Sequence, residues 1–149
     1  MFAAIRSART ATICVARSTS VAARLYSSKP DVSFEELQKI IHGVTKRPYV
    51  LVDVRETNEV AEGKVPTAVN IPLGEVAAAF AMPSDQFIAQ YRIDRPSEDE
   101  DIIFYCRSGK RSQKAIDEVA RVDTSLTLRN YRGSWLDYSD KALNNKPLK

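Results

Sequence analysis

Residues 101–112 read Asp101-Ile102-Ile103-Phe104-Tyr105-Cys106-Arg107-Ser108-Gly109-Lys110-Arg111-Ser112. The apolar run Ile102–Tyr105 is too short for a helix and follows a charged stretch, Asp94 to Asp101, so it reads as a buried strand. Gly109 marks a turn, and Ala115, Ile116, Val119, Ala120 and Val122 then recur at helical spacing. A strand, a short loop and an amphipathic helix are therefore expected in that order.

The same alternation continues on either side. Upstream, Tyr49–Val54 is a second short apolar run and Ala68–Ile71 a third, closed by Pro72; Leu126–Leu128 supplies a last strand. Ser33 with Glu36 three residues on has the form of a capping box, and Phe34, Leu37, Ile40, Ile41 and Val44 form a helical stripe that Gly43 is expected to stop. Residues 74–92 read as two helical pieces broken at Pro83, and 73–100 as a candidate lid over the loop. Strands alternating with helices imply an α/β fold, with a central parallel sheet and helices on both faces.

The 149 residues suffice for one domain, and no apolar run approaches the roughly 18 residues of a membrane span. The net charge of +3 hides a boundary. Of 22 basic residues, Arg6, Arg9, Arg17, Arg24 and Lys29 precede Asp31, the first acidic one, which leaves 17 basic against 19 acidic residues beyond. The basic balance thus belongs to the leader, and nucleic-acid binding loses its electrostatic footing. Arg-rich, Ser-rich and free of acids, residues 1–28 read as a mitochondrial presequence cleaved near 25–27, with the domain over 31–145 and the matrix as destination. Cleavage would remove Cys14 and leave Cys106 as the sole thiol. Two cysteines and one histidine are too few for a four-coordinate structural zinc site, and no metal or cofactor is expected.

The loop after the run Ile102–Tyr105 carries the chemistry. It lies at the carboxyl end of a strand, where open α/β sheets bind ligands. Gly109 lets successive N–H groups converge, and such a nest at a helix start favours an anion. A thiolate on Cys106 would be stabilised there and by Arg107, Lys110 and Arg111. The only histidine, His42, points away from the apolar stripe of the first helix, so a Cys–His hydrolase is disfavoured. Attack on a sulfane sulfur needs no imidazole: the nucleophile is already ionised and sulfite leaves without a proton. The plain alternative is a small packing cysteine at a strand end, which would not require the cations and glycine that follow it.

These residues resemble the single-domain rhodaneses, thiosulfate sulfurtransferases, and are similar to their short mitochondrial forms in fungi. The resemblance runs through Leu51–Glu56 with Glu59, Gly63–Pro72, Cys106–Arg111, the helix around Ser112–Arg121, and Asn130–Ser134. It departs at Lys64, where the family usually has His, at Thr67, where it has Gly, and near Tyr138, where a tryptophan is expected, while Trp135 lies earlier. The resemblance implies that Cys106 accepts the sulfur as a persulfide, with Arg107, Ser108, Gly109, Lys110 and Arg111 around the substrate. It implies that Arg111 ties the loop to a carboxylate such as Glu59 or Asp53. Asp53 and Arg55 are candidates both for bracing the strand ends and for touching substrate, and Ser112 for capping the following helix. The implied partners are a small sulfur donor (thiosulfate or a persulfide), an acceptor such as cyanide, glutathione or sulfite, and a protein persulfide acceptor. The alternatives are a persulfide carrier, a binding module, and a cysteine phosphatase; the related phosphatases place five residues between Cys and Arg, where this chain has four.

Overall fold

A computed structural model describes residues 29–144. The presequence reading of 1–28, with Cys14, and the final residue of the expected domain lie outside them. Helix α1 (Phe34–Ile41) begins as expected, with Ser33 Oγ accepting the Glu36 N–H at 3.1 Å. The reciprocal half of the box differs: the Glu36 carboxylate accepts two hydrogen bonds from Arg129, at 2.7 and 3.1 Å. A charged fork outcompetes a backbone N–H for that carboxylate. The helix ends before Gly43, whose φ is +71°, so Val44 falls beyond the stripe and is 68% exposed.

Four parallel strands follow: β1 (Tyr49–Asp53), β2 (Val69–Asn70), β3 (Asp101–Tyr105) and β4 (Thr127–Asn130). Their order is β2-β1-β3-β4, and β3 is buried along its whole length. Side chains alternate across the sheet, as strand geometry requires. Val52, Ile102 and Phe104 meet helices α3 (Leu73–Ala81), α4 (Ser84–Tyr91) and α5 (Lys110–Val122) through Val76, Phe80, Phe87 and Val119. Leu51, Ile103 and Tyr105 form the second core with Leu37 and Ile40 of α1 and with Tyr131 and Tyr138. Helices thus cover both faces.

Residues 73–100 differ from the lid expected of them. Val76, Ala79, Phe80 and Phe87 are fully buried, so α3 and α4 are a packed layer of the core. Pro83 does break them into two helices, as its missing N–H dictates. Three short elements have no periodic signature: α2 (Thr57–Ala61), α6 (Ser134–Tyr138) and a π-helical segment, Ser139–Asn144.

From β1 the chain moves to one side of the sheet, and from β3 to the other. Their carboxyl ends, Asp53 and Tyr105, stand side by side in register. This is a topological switch point, and Cys106 is the next residue on.

Candidate functional site

Cys106 is 1% exposed and held by its backbone on both sides. Its N–H donates to Ser134 Oγ at 3.1 Å, and its carbonyl accepts the Trp135 N–H at 2.9 Å. The chain then turns through Gly109, whose φ is +91° and whose missing side chain leaves room for the Arg132 carbonyl. Any Cβ there would overlap that oxygen. The turn aims the Gly109 N–H at Cys106 Sγ, 3.1 Å away, and starts α5 beside the sulfur.

Ser112 departs from expectation. The N-cap of α5 is Gly109, and Ser112 sits inside the first turn with its side chain buried. Its hydroxyl lies 3.6 Å from Sγ, 3.0 Å from the Gly109 carbonyl and 2.8 Å from Asn130 Oδ1. A second hydroxyl, on Ser134, stands 4.0 Å from the sulfur. Burial pushes the Cys106 thiol up. The Ser112 hydroxyl and the N–H groups of Ser112, Gly109 and Ser108 pull it down and prevail, so it lies below the ordinary thiol value.

The cations divide into different positions. Arg111 grips Glu59 with two bonds of 2.7 Å, tying α5 to α2. That pairing, with the Glu56 N–H on the same carboxylate, overcomes partial burial and holds Glu59 at about 2. Asp53 is not the partner of Arg111. It is fully buried and takes Arg55 through Nε and Nη2 at 2.7–3.1 Å, and the Tyr105 hydroxyl at 2.6 Å. Arg55 also donates to the carbonyls of Gly63 and Glu59, and its guanidinium lies 4.7 Å from the centre of the Trp135 ring. Burial works against its charge, but Asp53 above all, with Tyr105, holds Arg55 above its usual value. Of the two readings of Asp53 and Arg55, the geometry matches bracing: their polar atoms are consumed by each other and the backbone.

Arg107 and Lys110 are exposed and line different clefts. Arg107 lines a cleft of about 160 Å³ with Arg55, Glu59, Glu62, Trp135 and Leu136. Ser108, Gly109 and Lys110 line another, of about 480 Å³, with Gln113 and Arg132. His42 is exposed at the end of α1 and bonded to the Gln38 carbonyl. Among the described residues, no three His, Cys, Asp or Glu side chains are placed to hold a metal ion, and no helix is long and apolar enough to cross a membrane.

Three residues around Cys106 carried no individual role in the sequence: Ser134 near Sγ, Asn130 behind Ser112, and Trp135 on the Cys106 carbonyl. A signal existed for two, since Asn130 and Ser134 both lie in the segment Asn130–Ser134 that carries the resemblance. Ser134 follows Gly133 in a segment already singled out, yet its φ of +55° is not written in its residue type. A model of the rhodanese-like domain matches residues 33–141.

The chain belongs to the rhodanese-like domain family.

Within that family it is 36% identical over 113 residues to the human thiosulfate:glutathione sulfurtransferase, a match covering 75% of this chain and 95% of the human one. It is 31% identical over 115 residues to the mitochondrial thiosulfate sulfurtransferase RDL2 of Saccharomyces cerevisiae, covering 77% of this chain and 72% of that protein. The structure of the human single-domain sulfurtransferase TSTD1 superimposes with a TM-score of 0.68 at 32% identity, over 80% of this chain and 99% of that one. The four-stranded parallel sheet and its flanking helices are those of a single rhodanese domain.

Proposed function

We propose that this rhodanese is a sulfurtransferase that carries a sulfane sulfur on Cys106. The observation that carries the reading is the convergence of the Gly109 N–H, the Ser112 hydroxyl and the start of α5 on one buried sulfur. The names of its relatives supply the substrate class, thiosulfate as donor and glutathione among the acceptors.

In the first half-reaction the Cys106 thiolate attacks the outer sulfur of thiosulfate. The sulfur–sulfur bond of the donor breaks, and its electron pair leaves with sulfite. The product is a Cys106 persulfide, whose negative charge the same donors can hold. In the second, a nucleophile such as glutathione, cyanide or sulfite takes the outer sulfur and the thiolate returns. Lys110 and Arg132, lining one cleft, suit the dianionic donor. Arg107, in the other, offers a cation to an acceptor carboxylate. Arg111 is spent on Glu59, which argues against a phosphatase that would need that guanidinium for phosphate. The acid-free leader and the mitochondrial relative support import into the mitochondrial matrix.

The test is the intact mass of the protein before and after thiosulfate. One added sulfur atom, absent in Cys106→Ser and removed by cyanide, is expected. Sulfur transfer retained by Cys106→Ser would overturn the reading. Lys110→Ala is expected to raise KM for thiosulfate several-fold while leaving the urea midpoint unchanged.

A further inference from the structure

Asn130 is the last residue of β4, beside Phe104 of β3, and is 2% exposed. Its backbone carbonyl accepts the Val32 N–H at 2.8 Å. Its amide reaches under the loop. Nδ2 lies 3.3 Å from the Gly109 carbonyl and 3.3 Å from Gln113 Oε1, and Oδ1 lies 2.8 Å from Ser112 Oγ. The Gly109 carbonyl can only accept, so the nitrogen must face it and the oxygen must face Ser112.

Ser112 has one hydroxyl proton, and it has three acceptors within reach. A neutral thiol is a weak acceptor at 3.6 Å, so the proton belongs to Asn130 at 2.8 Å or to the Gly109 carbonyl. An anionic sulfur, whether thiolate or persulfide, competes far better. Turning the hydroxyl toward it leaves the Asn130 oxygen buried with no donor from Ser112, and that loss opposes the turn.

We propose that Asn130 is a positioning residue that acts on the Cys106 sulfur through Ser112, competing with the sulfur for the one hydroxyl proton. The competition keeps the sulfur from being held too tightly. With Asn130 present, Cys106 ionises less readily than the loop alone would allow, and a persulfide sulfur is surrendered more readily. This rests on the proposed sulfur chemistry only for its consequence in turnover.

The test uses the full chain and the pH dependence of iodoacetamide alkylation, read by mass spectrometry on the peptide carrying Cys106 so that Cys14 does not contribute. The charged groups that flank the Cys106 loop are Arg107, Lys110 and Arg111 at the start of α5 with Glu59 of α2, Asp53 at the end of β1 with Arg55 beyond it, Arg132 after β4, and Asp137 of α6; Asp101 of β3, Arg129 of β4 and Lys114, Asp117, Glu118 and Arg121 of α5 complete the charges on the packed elements. All are retained in every variant. Asn130→Ala removes the nearer of the two competing acceptors and leaves the Gly109 carbonyl, and its alkylation midpoint is expected to fall by about half a pH unit, roughly threefold more thiolate on the acid side. Asn130→Asp offers a stronger acceptor and a charge, so its midpoint is expected to rise. In a Ser112→Ala background Asn130→Ala should produce no shift, and the rise caused by Asn130→Asp should shrink.

Shifts of the same sign in Asn130→Ala and Asn130→Asp would mean a merely structural residue and would overturn the proposal. So would a shift in Asn130→Ala that survives Ser112→Ala. If Asn130→Ala does not fold, the rise in Asn130→Asp and its reduction by Ser112→Ala decide the matter alone. Alkylation needs no sulfur donor. A protein that forms no persulfide yet shows these shifts would therefore refute the function and not the role of Asn130.

Discussion

Replacing Glu59 by Gln removes the charge that ties α2 to the start of α5 while preserving its shape. The folded carboxyl lies at about 2 against an ordinary 4.5, chiefly because Arg111 donates to it twice. A depressed carboxylate stabilises the fold above its unfolded value and loses that contribution as pH falls through the folded one. At neutral pH the full displacement would correspond to about 3 kcal/mol. The Glu59 side chain is 26% exposed and that of Arg111 33%, so solvent screening reduces the expected loss to about 1–2 kcal/mol. By the same linkage the difference between the two proteins should be undiminished at pH 7 and shrink to less than half by about pH 3. Urea unfolding of wild type and Glu59→Gln at both pH values measures it. A difference that is unchanged or larger at pH 3 would refute the charge pairing as the cause.

Two further outcomes rest on backbone conformation. Gly109→Ala must place a methyl group against the Arg132 carbonyl at a φ of +91°, so a loss of about 2–4 kcal/mol is expected, with slower alkylation of Cys106. A loss below about 1 kcal/mol in urea would show that the loop can step aside. Thr67 carries a branched side chain at φ +71°, and only the bond between its hydroxyl and that of Tyr49, at 3.0 Å and exposed, offsets the strain. Thr67→Gly is expected to raise the thermal midpoint by about 2 °C, and a fall would assign more weight to that bond.

What could be read from the chain was what neighbouring residues encode. The uninterrupted apolar run Ile102–Tyr105 announced a strand buried on both faces, and the structure buries every one of those residues. Ser33 announced a helix start because its hydroxyl needs only the N–H three residues on. Cys106 and Gly109 announced a turn that aims its N–H at the sulfur because the turn lies within the loop itself. The same locality explains the misses. Helices α2 and α6 have five residues each, too few for a periodic stripe, and Glu59 and Trp135 on them meet Arg111 and Arg55 from distant parts of the chain.

Partner choice was the part the tertiary structure decided. Both Asp53 and Glu59 were credible mates for Arg111 by type and position. The register of β1 against β3 buries Asp53 under Tyr105 and Arg55, and leaves Glu59 at the rim. Ser112 read as a cap because serine at a helix start usually is one. It faces the sulfur because Gly109 already occupies the capping position, and Asn130, eighteen residues away, meets it from β4. Composition and spacing placed a cysteine at a strand end, before a glycine turn and a helix start. Which side chains reach that sulfur depends on strand order and register, which bring Ser112 of α5 and Ser134 of α6 to it, and Asn130 of β4 behind Ser112, at separations no local pattern records.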